Sequence, residues 1–168
     1  TILDPAGIAA ITTFTNDANG DPRFIDGPRI DVSDVSEIRY DLLRRKVLET
    51  VPAVNGKATA KKTFIDARGR VWKVEQGSVQ AGTFSPLQTA TIEYDAVGNK
   101  VKEITPAGVT QFSYDGLNRL VCTAKRMGAA QDDACALGPL DPTYGDDQIT
   151  RNEYDAASQL LKTWLGWG

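Results

Sequence analysis

The 168-residue chain is 41% hydrophobic and 24% charged, with a formal net charge of -3, ordinary globular values that argue against extended disorder. Acidic and basic residues are interspersed, so no strong field points at nucleic acid, whose binders are expected to carry a basic excess on one face. There is no histidine, which excludes His-based triads, His metal sites and the usual general base near neutral pH.

No apolar run reaches the length needed to span a bilayer. The chain opens on Thr1-Ile2-Leu3-Asp4-Pro5, without an initiator Met or a charged leader, and reads as a piece cut from a larger protein. The basic clusters Arg44-Arg45-Lys46 and Lys61-Lys62 read as solvated strand or turn positions rather than a phosphate track.

In chain order, Asp4-Pro5-Ala6-Gly7 is a turn signal in which Pro pre-sets φ and Gly takes the tight position. Thr15-Asn16-Asp17-Ala18-Asn19-Gly20 is the first, weak copy of a frame that then recurs. Arg39 to Arg45 carries it as Tyr40-Asp41, with Arg44 in the glycine position. Asp34 to Thr50 also reads as an amphipathic helix, with Val35, Ile38, Leu42 and Val47 near one face, but the repeat frame favours strand and turn. Phe64 to Val71 repeats the frame with Ile65 in place of tyrosine, followed by Asp66 and Gly69.

The two clearest copies are Ile92 to Val101, with Tyr94, Asp95 and Gly98, and Phe112 to Val121, with Tyr114, Asp115 and Asn118. They align without gaps over ten residues, and Thr105-Pro106-Ala107-Gly108 is the turn between them. Glu153 to Leu160, with Tyr154 and Asp155, is the last copy. The shared aspartates 17, 41, 66, 95, 115 and 155 are 24, 25, 29, 20 and 40 residues apart, so the shortest gap is the unit and the longer ones carry insertions.

Each copy predicts a hairpin. Before the turn the residues alternate: Ile92 and Tyr94 face one way, Thr91 and Glu93 the other, and Phe112 and Tyr114 alternate with Gln111 and Ser113. The Asp side chain closes the turn by accepting backbone N–H bonds, and Gly or Asn three residues on supplies φ > 0. One hairpin is barely stable alone, so units must pair edge to edge. The expected fold is therefore all-β: tandem antiparallel hairpins in one twisted, curved sheet, a single array over residues 1–168. An insert around 122–150 is expected to contain a short helix over Ala129 to Leu137, ended by Gly138-Pro139.

The motifs Tyr94-Asp95-Ala96-Val97-Gly98-Asn99 and Tyr114-Asp115-Gly116-Leu117-Asn118-Arg119-Leu120 resemble the YD repeats of bacterial RHS proteins and related wall-associated proteins. The copies at Tyr40, Ile65 and Tyr154 match in part, and the resemblance covers nearly the whole chain. It implies a scaffold segment of a very large secreted or cell-surface protein, whose repeats close into a shell around a variable C-terminal toxin or form a surface strip. The partners it implies are the remaining repeats and C-terminal cargo of the parent, with glycan or another cell surface as alternatives. Neither nucleic acid nor a membrane span is expected.

Given that family and its oxidising compartment, Cys122 and Cys135 are expected to form a disulfide across the insert, against the alternative of two buried thiols in a cytosolic chain. Asp4-Pro5-Ala6-Gly7-Ile8 resembles the family's self-cleavage motif, but repeats continue after it, so an ordinary turn is the better reading.

No catalytic, cofactor or metal residues are expected. An active site is rarely built six times, so the repeated Tyr-Asp pairs read as packed aromatics and turn-closing carboxylates. Asp132, Asp133, Asp141, Asp146 and Asp147 make the insert acidic but follow no calcium-loop spacing. Trp72, Trp164 and Trp167 are the candidates for stacking a sugar, weighed against ordinary strand packing. Two other functions stay open beside the scaffold: a carbohydrate-binding or adhesion module, and a carboxylate-dependent enzyme acting on polysaccharide.

Overall fold

The computed structural model describes residues 2–3, 9–29, 34–52, 54–140, 142–143 and 145–166. Among these there is no helix, and hence none long and apolar enough to cross a membrane. The strands are β1 (Ile2–Leu3), β2 (Ala9–Ala10), β3 (Thr13–Asn16), β4 (Pro22–Asp26), β5 (Val35–Tyr40), β6 (Lys46–Thr50), β7 (Lys57–Ile65), β8 (Val71–Gln80), β9 (Thr83–Tyr94), β10 (Lys100–Thr105), β11 (Gly108–Tyr114), β12 (Leu120–Arg126), β13 (Gln148–Tyr154) and β14 (Leu160–Leu165). β1 and β2 form a separate antiparallel pair. From β3 onward each strand lies beside the next in sequence. The fold is thus all-β, made of tandem antiparallel hairpins.

The chain divides into two compact units, Thr1–Thr89 and Ala90–Gly168, with the boundary inside β9. In the first unit, β5 and β6 occupy the stretch that could also be read as an amphipathic helix. Asp41 and its turn break the helical period there, and Ile38 pairs with Glu49 across the hairpin. β7 pairs with β8 from Lys57↔Gln80 to Ile65↔Val71. Tight reversals link its strands. Asn55-Gly56 (φ 53° and 75°) and Ala81-Gly82 (φ 48° and 78°) are two-residue turns with both residues left-handed, the twist that antiparallel hairpins favour. Gly77 has no room for a side chain, since a Cβ there would collide with the Ser85 carbonyl of β9. Among the described residues of this unit the buried apolar side chains are Ile38, Leu48 and Ala60.

In the second unit β10 and β11 pair from Lys102↔Gln111 to Thr105↔Gly108, closed by the expected Pro106-Ala107 turn. Gly108, at φ 130°, follows it, and the Thr105 hydroxyl accepts from the Ala107 N–H. Directly paired residues share a face. Gln111, Cys122↔Arg151 and Ala124↔Ile149 therefore lie on one face, and Phe112↔Thr123 on the other. That is the alternation expected for Phe112 and Gln111.

The insert after β12 folds onto the Gln111 face. Cys122, Ala124, Ala134 and Ile149 are all but sealed from solvent there, with Val121 and Cys135 packed against them. The helix expected over Ala129 to Leu137 is absent. The segment holds a single turn, in which the Ala136 N–H bonds the Asp133 carbonyl. Carbonyls of this segment are claimed from outside it: Arg126 takes those of Asp133 and Ala136, and Gln111 takes that of Gln131. Helix-forming composition is overridden by these tertiary bonds.

Candidate functional site

The repeated turns are the most regular chemistry in the molecule. At Asp17, Asp41, Asp66, Asp95, Asp115 and Asp155 the same pair of backbone bonds closes the loop. The Asp N–H donates to the carbonyl four residues on, and the N–H three residues on donates back to the Asp carbonyl. The third residue after each Asp is left-handed: Gly20, Arg44, Gly69, Gly98, Asn118 and Ser158. Arg44 and Ser158 hold that conformation without glycine's freedom. Such strain costs of order 1 kcal/mol in each case.

The Asp carboxylate finishes the loop. Asp115 Oδ1 accepts from the N–H groups of Leu117 (2.9 Å) and Arg119 (3.0 Å), and Asp17, Asp41 and Asp66 repeat the arrangement. Oδ2 then holds the side chain four residues on: Arg45 Nε at 2.7 Å, Arg70 Nε at 2.8 Å, Asn99 Nδ2 at 3.0 Å and Arg119 Nε at 2.7 Å. These contacts set the carboxyl pKa values. The Arg45 guanidinium, then its N–H, draws Asp41 below the ordinary carboxylate range. The N–H groups of Arg70 and Arg119, with their guanidinium groups, do the same for Asp66 and Asp115. At Asp95 desolvation pushes upward, but the bonds from Asn99 together with the Gly98 and Val97 N–H groups outweigh it and the net shift is down.

The same residues couple one turn to the next. In the first unit Arg45 Nη1 reaches the Asp66 carbonyl at 3.2 Å, and Arg44 reaches back to the Asp21 carboxylate at 2.6 Å. In the second unit Asn99 Nδ2 bonds Asn118 Oδ1, and Arg119 Nη1 bonds the Asp155 carbonyl at 2.9 Å. Tyrosine supplies the other link. Tyr40 donates to the Pro22 carbonyl (3.1 Å), Tyr114 to that of Lys100 (3.0 Å) and Tyr154 to that of Leu120 (2.9 Å). In all three the acceptor stands five residues after the preceding turn Asp. Arg119 also lies over the Tyr154 ring, 4.8 Å from its centroid.

At Tyr40, Tyr114 and Tyr154 the Tyr-Asp pair is therefore two joints in sequence, one to the previous repeat and one closing its own turn. Sequence reasoning found the Tyr, the Asp and the left-handed residue but missed the role of the fourth position. Its signal was available: Arg45, Arg70, Asn99 and Arg119 stand in one column of the repeat alignment.

Cys122 and Cys135 are joined by a disulfide, their Cα atoms 5.3 Å apart. A second clasp was missed altogether. Arg126 and Asp147 form a fully buried ion pair at 2.7 Å. Arg126 also donates to Gln111 Oε1, while Asp147 accepts from the N–H groups of Met127 and Gly138. Desolvation raises the Asp147 pKa, but these bonds and Arg126 bring it below the ordinary value. Asp147, one of the acidic residues of the insert, is thus not a solvated loop charge; its burial is sustained because both partners' polar atoms are satisfied. No sequence spacing marks such a pair.

Between insert and sheet lies an open cleft of about 770 Å³, lined in part by Glu93, Lys102, Gln111, Ser113, Asp132 and Asp133. Its polar groups bond one another: Lys102 to Glu93, Ser113 to Asp133, Gln111 to the Gln131 backbone. Among the described residues no three acidic or Cys side chains gather in a metal-binding arrangement.

Trp72 packs tilted against Phe64, centroids 5.7 Å apart, with the Lys73 ammonium over both rings. Trp164 is 43% exposed, with Lys162 Nζ 5.6 Å from its ring centre. Trp167, Asp141 and the Asp4-to-Ile8 motif lie outside the described residues.

No family model and no curated protein matches the chain. Among solved structures it is similar to crystal structures of TcdB2-TccC3-TEV (TM-score 0.45), of TcdB2-TccC3 without the hypervariable C-terminal region (0.46) and of TcdB2-TccC3-Cdc42 (0.44), each at 14% identity. The alignments cover 93% of this chain and 9% of each of those chains. Likeness at that level carries no weight for function, which rests on the turns themselves.

Proposed function

We propose that this chain is a non-catalytic scaffold segment of a larger secreted or cell-surface YD-repeat protein, contributing wall to a shell around a cargo or to an exposed strip. One observation carries the reading: the residues with chemistry to offer, the repeated Tyr, Asp and Arg side chains, are consumed in joints within and between repeats. A carboxylate held by two N–H groups and a guanidinium, with its pKa drawn down, is poorly suited to act as a general acid near neutral pH. The disulfide Cys122–Cys135 supports an oxidising compartment. On this reading the partners are neighbouring repeats and the enclosed cargo, and the cofactor requirement is nil.

The test is hydrogen exchange across the whole chain, alone and with a panel of oligosaccharides. A scaffold gives strongly protected strand amides that no sugar alters. Saturable, sugar-dependent protection around Trp72 or Trp164 would overturn the reading in favour of a carbohydrate-binding module. Turnover of a polysaccharide, abolished by one Asp or Glu substitution, would overturn it in favour of an enzyme.

A further inference from the structure

The tyrosine joints obey a register rule. With the acceptor carbonyl five residues after one turn Asp, the residue three before the next tyrosine pairs with the second residue beyond that acceptor. Glu37 pairs with Phe24, Gln111 with Lys102 and Arg151 with Cys122. The residue five before the tyrosine pairs with the fourth beyond it: Val35 with Asp26, Val109 with Ile104 and Ile149 with Ala124. Three independent junctions thus share one geometry.

The last turn, at Asp155, closes with the same two backbone bonds as the others, and the Gln159 N–H donates to Asp155 Oδ1. Its fifth residue is Leu160, the first of β14, and no hydroxyl among the described residues reaches the Leu160 carbonyl. β14 ends the strand order, and its residues are exposed throughout, Leu161 at 61% and Leu165 at 80%. An open edge with apolar side chains on both faces invites pairing.

We propose that β14 docks the first strand of a further Tyr-Asp hairpin of the same array in one defined register. The incoming tyrosine hydroxyl donates to the Leu160 carbonyl. The residue three before that tyrosine lies opposite Lys162, and the residue five before it lies opposite Trp164. This rests on the reading of the chain as a segment of a longer repeat array. The occupant is a tyrosine-bearing hairpin rather than a second copy of this chain placed head to tail. The corresponding strand of such a copy, β3, carries Asn16 before Asp17, and Asn16 has no phenol to reach the carbonyl.

The test appends to the full chain a second copy of residues 108–126, with the copy's Cys122→Ser, and reads amide exchange and inter-strand contacts by NMR. Exchange of β14 amides is expected to slow by about tenfold or more, a shift of roughly 1.4 kcal/mol. Lys162 is expected to face the copy's Gln111. The copy's Tyr114→Phe should return about two- to tenfold of the protection, the worth of one hydrogen bond. Unchanged β14 exchange while β11, β12 and β13 stay protected would overturn the docking and leave the scaffold reading intact. Pairing in another register, or equal, concentration-dependent protection of the unextended chain by self-association, would also overturn it. Loss of protection throughout β11 to β13 would overturn both readings.

Discussion

The two units solve the same problem by different means. The first, Thr1–Thr89, is mostly strand and turn, and the most buried apolar side chain among its described residues, Ala60, still shows 3% of its surface. The second, Ala90–Gly168, folds an insert onto its sheet and seals Cys122, Ala124 and Ile149 at 0% exposure. A row of hairpins buries little, so the first unit depends on bonds between consecutive turns. The second adds a small core, a disulfide and a buried ion pair. Repetition can replace a core where each unit grips its neighbour, and an insert creates a core only where it has something to clamp it.

The contrast breaks most severely at the ion pair. Asp147→Ala leaves Arg126 charged and sealed, so the second unit should lose roughly 3–5 kcal/mol in urea unfolding, while the first unit's exchange pattern stays unchanged. Removing both charges as Arg126→Met with Asp147→Leu should cost less than Asp147→Ala alone, because no orphan charge remains.

Opening the disulfide comes next. Cys122→Ser with Cys135→Ser should cost the second unit about 3 kcal/mol in the chain-entropy model, seen as a lower urea midpoint. The insert should still dock, because the Arg126 clasp is independent; proteolysis within 127–147 as fast as in an unfolded chain would show that the disulfide alone holds it.

The tyrosine joints are smaller. Tyr154→Phe keeps the ring under Arg119 and removes only the bond to the Leu120 carbonyl, so a loss of roughly 0.5–1.5 kcal/mol is expected. Ile65→Phe, at the copy with no hydroxyl to lose, should not show that cost; an equal loss at both would assign the effect to packing rather than to the bond.

The subtlest effect is pH dependence. Asp41, Asp66, Asp95 and Asp115 have folded pKa values below the ordinary 3.8. Their contribution is complete above that unfolded value and is lost as pH falls through the lower folded values. Thermal stability should therefore be level above about pH 5 and decline below pH 4. Asp115→Asn should flatten part of the decline, and an unaltered slope would remove the turn carboxylates as its source.

Much of this was legible in the chain. The recurrence of Tyr-Asp with Gly or Asn three residues on located the turns at Asp95 and Asp115, and carried the frame through weaker copies at Asp17 and Asp66. It also favoured strand and turn around Tyr40, where helical periodicity competed with the repeat and the structure has β5 and β6. The helix expected from Ala129 to Leu137 failed, because composition reports what a segment prefers alone and not which carbonyls Arg126 and Gln111 will claim. The fourth residue of the turn was visible as a column but not as a function, since its reach to the next turn depends on strand spacing.

What the sequence determined by itself was local: alternation set the faces, Asp and the left-handed residue set the turns, and their repetition set an all-β array. Those are contacts between residues a few positions apart, which spacing encodes directly. What only the tertiary structure decided was long-range: that Arg126 meets Asp147 across 21 positions, that Gln111 and Ser113 anchor the insert, and that Tyr40, Tyr114 and Tyr154 each find a carbonyl on the previous repeat. Those pairings follow from strand register and loop closure, and no local pattern of residue types specifies which distant partner closes the bond.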